Sequence, residues 1–214
     1  MTAGQKMLGK DGKEVMLFPL PYINISQGEL ETYSHAGILA MDFLGWNNNG
    51  RVYDAPLYAP CTCTCVATID ATNNGRVFQS VGQVHTPQGL RSVLFMFFHD
   101  NNPIAMVGSR FNQGQVIGHT GIAGLGTDIR SDHTHFNTAI GTFNPLNFWE
   151  NVPPDGKGEL VGSSHIYDTC YVNGTVIIEQ PEYNYDWQYY PYPGTGVRSK
   201  FPWVLYARQY KWYE

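Results

Sequence analysis

Apolar residues in this chain come in short runs, each closed by a cluster of turn-forming residues. VMLFPL (15–20), ILAMDFLG (38–45), RVFQSVG (76–82), RSVLFMFFHD (91–100), VIGHTG (116–121) and HTHFNTAIG (133–141) are such runs. WNNNGRVYD, Asn73-Asn74-Gly75, HTPQG and GIAGLGTDIRSD separate them. LYAPCTCTCVATID (57–70) reads as one long strand with a proline break near its start. No run repeats its apolar positions with a helical period, whereas β-branched and aromatic residues bounded by Gly, Asn and Pro are the signature of strands. The expected architecture is mainly β, an antiparallel sheet with long loops. The pattern divides the chain into an N-terminal segment (1–14), a domain (15–150) and a C-terminal extension (151–214). In the extension, ENVPPDGKG reads as a linker-like turn and SSHIYDTCYVNGTVIIEQ as a hairpin about Asn173-Gly174. The last stretches, PEYNYDWQYYPYPGTG and FPWVLYARQYKWYE, hold most of the tryptophans and many of the tyrosines. Tyrosine and tryptophan faces stack on sugars, but alternation in WVLYARQYKWY fits an edge strand with one buried face, so the tail is expected on or beside the domain.

Composition narrows the function classes. A chain of 214 residues can bury a full core without disulfide staples. Only 14% of residues are charged, with 23 glycines and 14% aromatics, which favours strands and turns over long helices. A formal net charge of −5 offers no general attraction to nucleic acid or to an anionic membrane, and no apolar run is long enough to span one. MTAGQKMLGKDGKEVM has no apolar core of a Sec signal peptide, so the thiols are expected in a reducing compartment. Cys61, Cys63 and Cys65 alternate with threonine and share one face if extended; with Cys170 they are read as small buried hydrophobes.

The histidines carry the candidate chemistry. His133 and His135 lie two apart, which on a strand puts both imidazoles on one face, roughly 6.6 Å apart along the chain. A catalytic zinc takes three ligands from His, Asp or Glu and keeps a fourth position open. His35, Asp42 and His99 are further donors. Each histidine by itself is more often a satisfied polar residue than a ligand. His85 and His165 have no partner nearby in sequence and are expected on the surface, and His119 is expected to pack beside the Gly-rich loop.

It is the order of features that carries a resemblance. His35-x₆-Asp42-Phe43, Tyr58-Ala59-Pro60, Phe98-His99-Asp100, Gly114-Gln-Val-Ile-Gly118-His-Thr-Gly121 and His133-Thr-His135-Phe136 follow one another along the chain. This series resembles the LytM/lysostaphin-type zinc endopeptidases of the M23 family, over roughly residues 15–150. The family has an H-x₃-D motif, a YAP, a strand-end histidine, a Gly-rich loop and H-x-H-F. The resemblance implies an antiparallel β core with loops lining a groove, and a Zn²⁺ ion held by His35, Asp42 and His135. It implies that His99 and His133 are catalytic histidines that orient and deprotonate water and protonate the leaving amine. An unperturbed imidazole pKa near 6.5 suits both steps. The substrate implied is the peptide of bacterial peptidoglycan. Tyr33 is placed to donate to an oxyanion, and Asp132 or Asp100 to orient an imidazole, unless these are solvated turn carboxylates. The glycines of GIAGLGTDIRSD would let that loop wrap a groove.

One departure concerns the first motif, three residues longer than the family spacing, as in an expanded turn or bulge. That spacing is similar to the version in tail-tip lysins of small bacteriophages that infect Gram-positive hosts. With no signal peptide, the expected location is the virion tail, among other tail proteins, or a released phage lysin acting on the host wall. The alternative is a non-catalytic tail-tip or wall-binding module on the same fold. A Cys-His hydrolase is the weakest reading, since no cysteine has an evident base or helix N-terminus beside it.

Overall fold

The apolar runs fold as strands. The computed structural model describes residues 1–30, 33–35, 37–69, 71–144, 159–178, 190–191, 198–199 and 206–211. In chain order the strands that matter are β1 (Tyr22–Ile23), β2 (Ile25–Gln27), β3 (Ala40–Phe43), β4 (Trp46–Asn47), β5 (Gly50–Arg51), β6 (Pro56–Tyr58), β7 (Cys63–Ile69) and β8 (Gly75–Ser80). There follow β9 (Val84–Thr86), β10 (Gly89–Arg91), β11 (Val93–Phe98), β12 (Arg110–Phe111), β13 (Val116–His119), β14 (Thr134–Ile140), β15 (Ser163–Ser164) and β16 (Val176–Ile177). Helical structure among the described residues is slight: single 3₁₀ turns at Tyr33–His35 and Ile129–Ser131, and one α-helical turn, α1 (Ile166–Thr169). The main sheet runs β12-β7-β8-β11-β14-β3-β2, with every pairing antiparallel. Strand β15 pairs with Thr138 and Ala139 of β14 just beyond the point where β3 ends. The mainly antiparallel β architecture expected from the pattern is therefore the observed one.

Both faces of the sheet are covered. Phe95, Phe97, Phe136, Phe43, Met41 and Phe78 pack one face into the larger core with Met16, Phe18 and Leu20. Phe97 and Phe136, directly opposed in register, stack at 4.8 Å. Leu94, Met96, Phe98, Ala139 and Leu160 form a second cluster on the other face. Strand β7 serves both, because a register shift between Cys65 and Ala67 inverts its alternation. Cys63 and Cys65 thus enter the first cluster, and Ala67 and Ile69 the second. All four cysteines are free and buried, as their reading as small hydrophobes required.

The structure corrects several local readings. The 57–70 run is not one strand: Ala59 to Thr62 divide β6 from β7, and the two pair with different neighbours. VMLFPL is buried almost throughout but is held by isolated bridges and backbone bonds rather than a ladder. The turn at Asn173-Gly174 exists, with Gly174 at φ 76°, but it closes no hairpin. After it, Val176 donates its N–H to Pro21 O and β16 runs parallel to β1, while the preceding residues form α1. The segment ENVPPDGKG and most of the aromatic tail lie outside the described residues, but Tyr206 to Lys211 of WVLYARQYKWY are described and, in place of the expected edge strand, hold only an isolated parallel bridge between Arg208 and Tyr171. Of the described tail, Tyr190–Pro191 and Arg198–Ser199 pair with each other, and residues 206–211 return to the body of the protein. Val172 N–H bonds Arg208 O, Asn173 exchanges hydrogen bonds with the Tyr210 backbone, and Tyr206 packs on the main core.

Candidate metal centre

Register brings the first two donors together. His135 on β14 stands directly opposite Asp42 on β3, and paired residues of antiparallel strands point to the same face. His35 reaches them from outside the sheet, on the 3₁₀ turn Tyr33–His35. The seven-residue separation is spanned by a turn in which Ile38 N–H bonds His35 O and Leu30 N–H bonds Ile38 O. Three ligand atoms then form a nearly equilateral triangle: His35 Nε2 to His135 Nδ1 is 3.1 Å, His35 Nε2 to Asp42 Oδ1 3.3 Å, and His135 Nδ1 to Asp42 Oδ1 3.1 Å. A tetrahedral ion with bonds of about 2.0–2.1 Å requires ligand–ligand edges of about 3.3–3.4 Å, so the residues fit such an ion. His35, Asp42 and His135 are all buried.

The tautomer of His35 is set by its other nitrogen. Nδ1 lies 2.9 Å from Gly28 O, a carbonyl that can only accept, so Nδ1 carries the proton and Nε2 presents its lone pair to the triangle. Burial opposes ionisation of Asp42, but His35, His133 and His135 outweigh it and hold the carboxyl well below the usual range. The group is a carboxylate matched to two imidazoles.

His99 and His133 stand beside the triangle, with ring centroids 4.6 Å apart. His133 Nε2 is 3.5 Å from Asp42 Oδ2, the oxygen turned away from the triangle. Both rings are oriented in the same way: His99 Nδ1 donates to Ala123 O at 2.8 Å, and His133 Nδ1 to Ser131 O at 2.7 Å. In each, Nε2 is left as the proton-accepting nitrogen of the neutral ring. His99 takes a left-handed backbone, φ 79°, immediately after β11, unusual for a residue with a Cβ and a strain found at functional sites. Burial, reinforced by His133, pushes its imidazole down to about 3, so it is not poised near 6.5 as an unperturbed histidine would be.

The expected carboxylate orienters are not used. Asp132 accepts the Asp54 N–H at 3.1 Å, and burial raises its pKa; Asp100 accepts the N–H groups of Asn102 and His119. Both are buried loop-holding groups, neither imidazole partners nor solvated turn carboxylates. Backbone carbonyls took the orienting role, and carbonyls leave no signal in a sequence. The side chain of Tyr33 lies outside the described residues. His85 and His165, expected on the surface without partners, each face an acid remote in sequence: Asp11 at 2.8 Å and Glu29 at 2.5 Å. The backbone of His119 is tied to Asp100 through the loop it enters. In that loop Gly121 exchanges two backbone bonds with His133, and a Cβ on it would lie 2.2 Å from His99 O.

Among the described residues no helix is long and apolar enough to cross a membrane. No protein-family model matches the chain. It is 34% identical over 187 residues to "Morphogenesis protein 1" of Bacillus phage B103, an alignment covering 84% of this chain and 46% of that protein. The chain therefore spans about half the length of this relative. Similar solved structures include the catalytic domain of lysostaphin from Staphylococcus simulans, at 18% identity over 59% of this chain and 84% of that one, with a TM-score of 0.39. The prophage-encoded M23 protein EnpA of Enterococcus faecalis gives 14%, 60%, 88% and 0.42, and a zinc-containing peptidase from Vibrio cholerae 16%, 63%, 43% and 0.40. The chain is similar in sequence to a phage morphogenesis protein.

Proposed function

We propose that this protein is a zinc-dependent endopeptidase that hydrolyses peptide cross-links of bacterial peptidoglycan, acting as a phage lysin on the virion tail or after release. The observation that carries the reading is the triangle of His35 Nε2, Asp42 Oδ1 and His135 Nδ1 with two further imidazoles beside it. The order of the sequence motifs and the phage relative support the substrate and the setting.

His35, Asp42 and His135 would hold the ion, with two neutral nitrogens and one carboxylate that leave it a net positive charge. Zn²⁺ bound there supplies Lewis acidity for a carbonyl and for water. His133, fixed by Ser131 O, presents Nε2 beside Asp42 and takes up the proton of the attacking water. His99, fixed by Ala123 O and kept neutral by burial, accepts a hydrogen bond from the same water at Nε2 and so orients it. The proton gathered at His133 then passes to the leaving amine. Neither ring can turn to offer Nδ1 without breaking its carbonyl bond, so each is committed to one role.

Turbidity loss of Gram-positive cell walls tests the reading. Activity is expected to vanish with chelator, to return with Zn²⁺, and to fall by about 10²–10⁴-fold in His133→Ala, the range for loss of a general acid–base group. His133→Ala is expected to keep its metal, whereas Asp42→Ala is expected to lose it. Bound zinc with no cleavage of any muropeptide would favour the non-catalytic wall-binding module instead.

A further inference from the structure

Glu29 is a buried carboxylate, 3% exposed, that takes no part in the metal triangle. Both of its oxygens are committed to one stretch far along the chain. Oε2 meets His165 Nδ1 at 2.5 Å, and Oε1 accepts the Ile166 N–H at 3.0 Å. That stretch is itself anchored. The His165 ring stacks on Tyr167 at 4.7 Å, Ile166 and Tyr167 enter the main core, and Thr169 Oγ1 bonds Thr138 Oγ1 at 2.8 Å. Thr138 belongs to β14, the strand that carries His135. Glu29 thus ties its loop to the strand holding one metal ligand.

The neighbours of Glu29 in sequence point to the purpose of the tie. The Gly28 carbonyl accepts the His35 Nδ1–H, and Leu30, at φ 60°, donates to Ile38 O and braces the long turn between His35 and Asp42. Three consecutive residues therefore supply an orienting acceptor, an anchor and a brace. Asp42 and His135 are set by opposed positions in a ladder. His35 is not: it stands on a single 3₁₀ turn outside the sheet. Its alignment has to come from the loop that grips it, and that loop is held by directional hydrogen bonds to Glu29. A buried carboxylate is costly unless fully paired, and apolar packing would anchor the loop without fixing its orientation.

We propose that Glu29, locked to His165 and Ile166, is the positioning residue that sets His35 Nε2 in the metal triangle. This rests on the reading of His35, Asp42 and His135 as ligands, and metal binding tests it apart from catalysis. Zn²⁺ and Co²⁺ are titrated into the metal-stripped protein, reading the Kd and the visible absorption bands of the Co²⁺ form. Glu29→Ala is expected to weaken binding by about tenfold or more, in the range seen when groups behind a ligand are removed, and to alter the Co²⁺ bands. Glu29→Gln, which can still accept the Ile166 N–H, is expected to recover most of the affinity. Val93→Ala, a core truncation at the far end of β11, is expected to lower the Tm and leave the Kd unchanged. Wild-type Kd and bands in Glu29→Ala would overturn the proposal, and so would an equal weakening in Val93→Ala. Loss of metal by Asp42→Ala in the same series leaves the ligand reading standing whichever way Glu29 behaves; full metal in Asp42→Ala overturns both. If Glu29→Ala does not fold, His165→Phe, which keeps an aromatic ring for Tyr167 and loses one anchor, decides: weakened binding supports the proposal and wild-type binding overturns it.

Discussion

Seven histidines sort into different roles by what touches their two nitrogens. His35, His99 and His133 each spend Nδ1 on a backbone carbonyl, and this fixes Nε2 as the nitrogen that each neutral ring presents as an acceptor. His85 and His165 instead meet acids 74 and 136 residues away, pairings that no local reading of HTPQG or SSHIYD could show. For His165 the Glu29 hydrogen bond outweighs burial and raises the imidazole above its ordinary pKa. The folded state therefore favours the cation. The stabilisation is complete below the unfolded pKa of about 6.5 and is lost as pH rises through the higher folded value. His165→Phe should accordingly lower the Tm more at pH 6 than at pH 9. Thermal unfolding at both pH values checks this, and equal deficits would argue against a charged pair.

At the scale of elements, HTHF was legible as extended chain: His135 lies on β14, while His133 stands just before it on an isolated bridge to Gly121. The seven-residue separation of His35 and Asp42 was legible, but not the conformation that spans it: His35 approaches from a 3₁₀ turn while Asp42 stays in the ladder. The Gly-rich loop closes the site from the opposite side, through the reciprocal backbone bonds of Gly121 and His133. Gly121→Ala would press a Cβ against the carbonyl of His99, a residue already in a left-handed backbone. We expect a loss of about 1–3 kcal/mol of stability, typical of overpacking, measured by denaturant unfolding. On the proposed function, wall-lytic activity should fall while zinc is retained, because His99 and His133 shift and the ligands do not. Retained activity would show that this contact does not position the two histidines.

For the whole molecule, the metal and the core make separable demands. An ion bound by the folded state alone stabilises it by about 2.7 kcal/mol at a hundredfold excess over Kd, which for a chain of this size raises the Tm by roughly 5–10 °C. That increment should disappear with chelator and in Asp42→Ala. The thiols should behave as core. Burial raises Cys61, Cys63 and Cys65 and takes Cys170 up to about 12. A disulfide reagent should find no reactive thiol in the native protein and four after unfolding. A fast-reacting native thiol would reopen a cysteine-based chemistry.

Sequence alone determined the antiparallel β class and the sheltered cysteines, because alternation with period two survives any arrangement of the strands. Through the order of its motifs it also determined which five side chains to examine. Only the tertiary structure decided how they are held. Opposed register sets His135 against Asp42, carbonyls from Gly28, Ala123 and Ser131 aim the imidazoles, and Glu29 reaches across the chain to the residues before and within α1. Every residue has the same carbonyl, and a hydrogen bond across 137 positions depends on the path of the whole chain. Neither is written in any short stretch of residues.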